Sequence, residues 1–450
     1  MRFYDREAEL KALEKARSSK GSEMVIISGR RRVGKSRLVD EFLKGKGYAK
    51  VLVVPKEEKQ VVGDFANALA DELVRSFSTV KEVLEYFFTK SDKRILFVDE
   101  FPNFIEVNPS IPYEFQGAWE KHKSSSSKVL IFSGSYVSMM DRIFTRQKAP
   151  LFNRAGYSIV LQPFKLKVAW EIQHDLRLGA EEKARNYCIF GGIPYYYELI
   201  EKLGGSDPVN GLFFDVAAPL KEEGQNILRQ EFGSAYKKYF SIIEAIGAGL
   251  VSAGEIAAKL GVSQTTLSKY IVALQRDFQL VERVVPFGQN PARSKKGLYC
   301  IKDNTTAFWF ARVYGKTQPP GLKELNEFIG RRFEGLCMEF LVSYLENKGE
   351  AVVKAGRWWG RVEARQREFE EREIDIVVET GNTLYLGECK WTGGKVGERE
   401  LNRLQGSAKA LKAKKPVKFV LFSKGGFSIG ERADVLLFDL KRIEHELSFV

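Results

Sequence analysis

The stretch GRRRVGKS, Gly29 to Ser36, constrains this chain more than any other. It follows the β-branched run Met24 to Ser28 and opens an amphipathic stretch near Lys35, so a strand must become a helix within a few residues. Gly29 and Gly34 let the backbone curl until successive amides point at one spot, and the helix aims its amino end at the same place. A turn of that kind cradles phosphate oxygens.

A loop of this composition acquires meaning from a second strand. ILFVDE ends in Asp99 and Glu100, which supplies the acidic half of an ATP site. Lys35 is expected to reach the β and γ phosphates and Ser36 to place its hydroxyl on Mg²⁺. Asp99 would hold that magnesium through water, and Glu100 would polarise the attacking water as catalytic base. The nucleotide is expected to touch Gly29, Arg30, Arg31, Arg32, Val33, Gly34, Lys35, Ser36, Arg37, Asp99 and Ser135.

A third strand, KVLIFSGS, ends in Ser133 and Ser135. A polar residue there senses the γ-phosphate in NTPases with an inserted central strand; Ser135 is preferred, and a strand-ending turn is the alternative for either serine. Arg154, between that strand and the next, is expected to neutralise transition-state charge in cis or across an oligomer, with a surface salt bridge as its plainer reading.

Short β-branched runs at Met24–Ser28, Val51–Val54, Ile95–Asp99, Lys128–Ser133 and Ser158–Leu161 alternate with helical stretches, the rhythm of a parallel α/β sheet. With 450 residues the chain exceeds one core and is expected to be multidomain. Its four cysteines and three histidines are scattered, which predicts neither a disulfide framework nor a zinc cluster. No apolar run approaches a bilayer span, and the charged amino terminus lacks a secretory layout; a cytoplasmic protein is expected. A net charge of +13 favours a polyanionic partner.

GRRRVGKS, VDEFP at Val98 to Pro102, FSGS at Phe132 to Ser135, the Arg154 segment and GGIP at Gly191 to Pro194 together resemble the archaeal ATPases of the STAND branch of P-loop NTPases. The resemblance implies a nucleotide-binding sheet followed by a helical lid.

Further on, GEIAAKLGVSQTTLSKYIVALQRDF carries Ile256, Leu260, Val262, Leu267, Ile271 and Leu274 at core spacing, with Gly261 suited to a tight turn. The segment resembles a winged helix-turn-helix. Gln264, Thr265, Thr266 and Lys269 at the start of its second helix, and Arg293, Lys295 and Lys296 in a basic hairpin, are expected to contact DNA. Protein docking is the alternative use of such a module. Asp215 to Gln230 lacks alternation and reads as a linker.

The last region pairs EIDIVVET with TLYLGECKW around Gly381-Asn382, a two-residue hairpin loop. Pairing Thr380 with Thr383 sets Asp375 opposite Glu388, with Lys390 on the face of Glu388. Opposed carboxylates call for a cation, here Mg²⁺ or Mn²⁺, and Lys390 would orient the attacking water. The arrangement resembles the PD-(D/E)XK nucleases, with Ile374 where that name has proline. The resemblance assigns catalysis to Asp375, Glu388 and Lys390, and metal binding to Asp375, Glu388 and Glu334 of the preceding helix, with Glu339 as the alternative. Trp358 and Trp359, between arginines, are candidates for base stacking or for core packing.

The expected architecture is therefore α/β multidomain: a P-loop NTPase parallel sheet at 1–165, a helical lid and linker at 166–235, a winged helix-turn-helix at 236–315 and a restriction-endonuclease-like α/β domain at 322–450. The expected function is an ATP-hydrolysing, DNA-associated protein with a metal-dependent nuclease domain and no membrane association. It is open to homo-oligomerisation through the ATPase domain. The alternative is a nucleotide-switched scaffold whose nuclease fold is vestigial.

Overall fold

The structure, a computed structural model, describes residues 1–448 apart from 136, 366 and 367. The chain divides into two compact units, Met1–Pro163 with Ile193–Tyr195, and Phe164–Gly192 with Tyr196–Val450.

The first unit is built on five parallel strands, β1 (Glu23–Gly29), β2 (Tyr48–Leu52), β3 (Ile95–Asp99), β4 (Val129–Gly134) and β5 (Tyr157–Leu161), in the order β2-β3-β4-β1-β5. β4 is inserted between β1 and β3, so the strand bearing Ser133 runs beside both the phosphate loop's strand and the acidic strand. Strands this apolar are stable only with both faces covered. Met24, Ile26, Leu96, Val98, Leu130 and Phe132 pack on one face with Phe65, Phe87, Phe101 and Phe115. Val25, Ile27, Phe97 and Ile131 pack on the other with Leu13, Leu38, Val39 and Phe42. The alternation along each strand thus feeds two cores, and because all strands are parallel their carboxyl ends share one edge.

In the second unit, the helices Leu166–Asp175 and Ala180–Phe190 come first. The expected linker contains the helix Glu223–Phe232, a correction to the sequence reading. Its organisation is aromatic rather than periodic: Leu228 is buried, and Phe232 stacks on Tyr239 with ring centroids 4.3 Å apart and meets Phe278 edge-on at 4.4 Å. Then come the helices Tyr236–Gly247, Ala253–Leu260 and Gln264–Arg276, followed by an antiparallel hairpin of β6 (Val281–Val284) and β7 (Leu298–Ile301). Gly261 closes the second of these helices at φ 64°, where a side chain would be strained, and Ser263 caps the third through the amide of Thr266.

The carboxyl-terminal part is a mixed sheet of β8 (Val352–Arg365), β9 (Glu368–Thr380), β10 (Leu384–Lys390), β11 (Val417–Ser423) and β12 (Val435–Asp439), ordered β12-β11-β10-β9-β8. β8, β9 and β10 are antiparallel neighbours, whereas β10, β11 and β12 are parallel. The helix Leu322–Asn347, starting before the expected Asn326, buries Phe333, Leu336, Cys337 and Phe340. Around Gly381-Asn382 the Thr380 amide donates to Thr383 O at 2.9 Å, and Leu384 pairs with Glu379 through to Gly387 with Ile376. The register is the one that sets Asp375 across from Glu388.

Candidate functional site

The phosphate loop leaves the carboxyl edge of the parallel sheet. At Gly29 a Cβ would lie 2.5 Å from Leu161 O, and Gly34 sits at φ +98°, so both positions need glycine. Arg32, at φ 69°, rests its guanidinium 4.2 Å from the centre of the Tyr195 ring. Arg30 is half-buried, Arg31 exposed, and Val33 buries its side chain. Arg37, expected at the nucleotide, instead donates to the carbonyls of Met1 and Arg2.

Lys35 is buried at the centre of the loop and donates to Gly29 O at 2.9 Å, Arg30 O at 3.1 Å and Ser135 Oγ at 2.8 Å. Ser135 passes the chain on: its hydroxyl donates to Glu100 Oε1 at 2.5 Å and its amide to Oε2 at 3.1 Å. Glu100 stands at φ 52°, a conformation that turns its carboxylate out of the strand toward that serine. Alongside, Ser36 Oγ donates to Asp99 Oδ2 at 2.6 Å and Ser133 Oγ to the other Asp99 oxygen. Both strand-end serines are therefore engaged, although the sequence favoured only Ser135. Ser36 and Asp99 form a pair of hard oxygen donors that suits Mg²⁺.

Arg154 lies elsewhere. Just before β5, it ion-pairs with Glu120 at 2.9 Å, while Gly156 donates to Met24 O near the start of β1. This is the amino edge of the sheet, opposite the phosphate loop. A seven-residue strand at ~3.3 Å per residue separates the two edges by roughly 20 Å, so the expected action of Arg154 on its own chain's nucleotide is corrected.

The second unit holds a different cluster. Asp375 is buried and its Oδ2 accepts from the Cys389 amide at 2.9 Å, so the carboxylate itself caps the strand pairing. Glu388 is buried and pairs with Lys390 at 2.5 Å. Glu334, from the long helix, meets Arg357 of β8 at 3.1 Å, and Arg357 is also 3.8 Å from Glu373. Burial pushes the Glu334 carboxyl up to about 8, opposed by Arg357 and reinforced by Asp375, Glu373 and Glu388. Burial and Glu388 push Asp375 up to about 6. Glu339 serves elsewhere: it accepts from the Leu166 amide and from Tyr187 Oη, each at 2.7 Å. The all-oxygen donor set suits a hard cation. Among the described residues, however, no group of three His, Cys, Asp or Glu side chains is drawn together tightly enough to hold an ion.

Gln264, Thr265, Thr266, Lys269, Arg293, Lys295 and Lys296 are all exposed. Arg283 shapes the basic loop, donating to Pro291 O and Ser294 O at 2.6 Å each; its role is invisible in the sequence. Trp358 packs in the carboxyl-terminal core. Among the described residues no helix is long and apolar enough to cross a membrane.

Residues 3–200 match a family described as an ATPase domain predominantly from Archaea, and residues 313–404 match one described as archaeal and bacterial proteins of unknown function. The uncharacterized protein MJECL04 of Methanocaldococcus jannaschii is 30% identical over 461 aligned residues, covering 98% of this chain and 99% of its own. Among solved structures, the Walker-type ATPase PABY2304 of Pyrococcus abyssi superposes with a TM-score of 0.52 at 16% identity, over 68% of this chain and 96% of its own. The ORC2 protein of Aeropyrum pernix, in ADPNP and ADP complexes, gives 0.42 at 15% identity, over 72% and 93%. With the phosphate loop, the acidic strand and the inserted strand in place, the chain belongs to the family of predominantly archaeal ATPases that MJECL04 shares over its whole length.

Proposed function

We propose that this ATPase hydrolyses ATP with Mg²⁺ to act on DNA, and that its carboxyl-terminal sheet is a metal-dependent nuclease domain. The observation that carries the reading is the convergence of Asp375, Glu388 and Lys390 on adjacent antiparallel strands beside Glu334 of the long helix. In this reading the helices from Tyr236 to Arg276 with the β6–β7 hairpin are a winged helix. Its exposed Gln264, Thr265, Thr266 and Lys269 meet base edges and phosphates, and Arg293, Lys295 and Lys296 follow the backbone.

At the nucleotide, Lys35 exchanges its loop carbonyls and Ser135 for phosphate oxygens. That exchange frees Ser135 to report the γ-phosphate and Glu100 to accept a proton from water. Ser36 and Asp99 hold the magnesium that screens the phosphate charge. In the second unit a divalent cation, Mg²⁺ or Mn²⁺, bound by Asp375, Glu388 and Glu334 would polarise a phosphodiester, with Lys390 orienting the attacking water. Arg154 has no part in hydrolysis within one chain; across a homo-oligomer its edge of the sheet remains available.

A second reading, a nucleotide-switched scaffold with an inactive nuclease fold, is favoured by the cations Arg357 and Lys390 already engaging the acids. Cleavage of mixed DNA substrates with Mn²⁺, with and without ATP, separates the two. Cutting by the wild type that disappears in Asp375→Ala supports the nuclease, and ATP dependence lost in Lys35→Ala ties it to the ATPase. No cutting under any condition sinks the first reading and leaves the switch.

A further inference from the structure

Arg357 holds a position that the proposed chemistry does not use. Its Nη2 lies 3.1 Å from Glu334 Oε2 and 3.8 Å from Glu373 Oε2. The contact is close but poorly aligned: Glu334 Oε2 and Arg357 Nε are buried atoms without a hydrogen-bond partner. Arginine opposite a carboxylate ordinarily makes a two-pronged fork, so this pair is held by charge rather than by fit.

The charge balance around it is lopsided. Glu334, Glu373, Asp375 and Glu388 converge from the long helix, β9 and β10, against Arg357 from β8 and Lys390, which is committed to Glu388. A cluster short of positive charge attracts a cation, and Arg357 is the cation already supplied by the fold.

Its backbone is anchored from the basic loop. Phe287, in the loop that also carries Arg293, Lys295 and Lys296, donates its amide to Arg357 O at 2.7 Å. The Phe287 ring packs into the carboxyl-terminal core, with Lys354 4.9 Å from its centre. A Cβ on Gly356 would sit 3.5 Å from that ring, so loop and strand are in direct contact.

We propose that Arg357 is a built-in counter-cation that competes with a divalent metal for Glu334, and that the basic loop, through Phe287, keeps it in that place. This rests on reading the carboxylate cluster as a metal site. It makes Arg357 a positioning residue: metal reaches Glu334 only as the guanidinium leaves, and a ligand that moves the basic loop eases that exchange.

The test is Mn²⁺ titration of the full chain by calorimetry, above pH 8 where Glu334 is ionised. Loss of a partly exposed ion pair of ~1 kcal/mol corresponds to ~tenfold tighter binding expected in Arg357→Gln. Arg357→Lys, which keeps the charge, should stay near the wild type. Phe287→Ala, which loosens the anchor and leaves the arginine, should bind several-fold tighter and serves if Arg357→Gln does not fold. Asp375→Asn should abolish binding in every background. Binding that is unchanged or weaker in Arg357→Gln or Phe287→Ala, yet still lost in Asp375→Asn, overturns the competition while the metal site stands. No Mn²⁺ binding in wild type or Arg357→Gln overturns both.

Discussion

The phosphate loop and the carboxylate cluster solve opposite electrostatic problems. At the loop, Lys35, Ser36, Asp99, Glu100, Ser133 and Ser135 satisfy one another, so the buried ammonium has oxygen partners throughout. In the cluster, four carboxyls face two cations, and burial has driven Glu334 and Asp375 toward their protonated forms. The difference teaches where each site stores its readiness. The first exchanges internal hydrogen bonds for ligand bonds of similar quality, whereas the second carries an unbalanced charge that only an added cation relieves.

The comparison breaks most visibly at Lys35. Lys35→Ala removes the ammonium at the centre of the loop's network, and steady-state ATP hydrolysis should fall by about 10³-fold. Near-normal turnover would mean that the loop is not the catalytic cradle. Glu100→Gln should lower hydrolysis by ~10²-fold or more with nucleotide affinity retained, the pattern of a lost general base. If affinity fell with the rate, the carboxylate would be positioning the loop through Ser135 instead. Smaller still, Ser135→Ala should slow turnover by ~10-fold, since it deletes one charge-assisted bond of about 1.5–3 kcal/mol on each neighbour. Ser133→Ala should act chiefly through magnesium affinity, because its hydroxyl serves Asp99. Equal effects in the two variants, measured against magnesium concentration, would erase the distinction between them.

The two sites also differ in how far the sequence reveals them. Gly29, Gly34, Lys35 and Ser36 are legible because a strand-to-helix turn around an anion admits few residue types. The hairpin around Gly381-Asn382 was legible for a similar reason: a two-residue loop fixes the register, and the register fixes which carboxylates face each other. Long-range partners were not legible. Arg154 sits in the right interval of sequence, but an interval before a parallel strand delivers its residues to the amino edge, away from the phosphates. The helix Glu223–Phe232 was missed because its order comes from Phe232 against Tyr239 and Phe278, contacts that no local periodicity encodes. Nothing in RWWGR says that Arg357 turns toward Glu334, since that choice depends on how β8 lies against a helix.

The smallest effect is the sharpest discriminator between the regions, because it needs no ligand. Asp375 and Glu334 have folded-state pKa values raised to about 6 and about 8 from model values of 3.8 and 4.5. A carboxyl raised in the folded state contributes stability that is fully present below its unfolded pKa and lost as pH rises through the folded one. The second unit should therefore become less stable between about pH 4 and pH 8, Asp375 accounting for the lower part of the decline and Glu334 for the upper. In metal-free buffer its thermal midpoint should drop by a few degrees over that range, and Glu334→Gln should flatten the upper part while leaving the lower. A midpoint that instead rose with pH would mean that Arg357 and Lys390 more than balance the four acids. The cluster would then resemble the phosphate loop, complete without a ligand, and the contrast between the two sites would be gone.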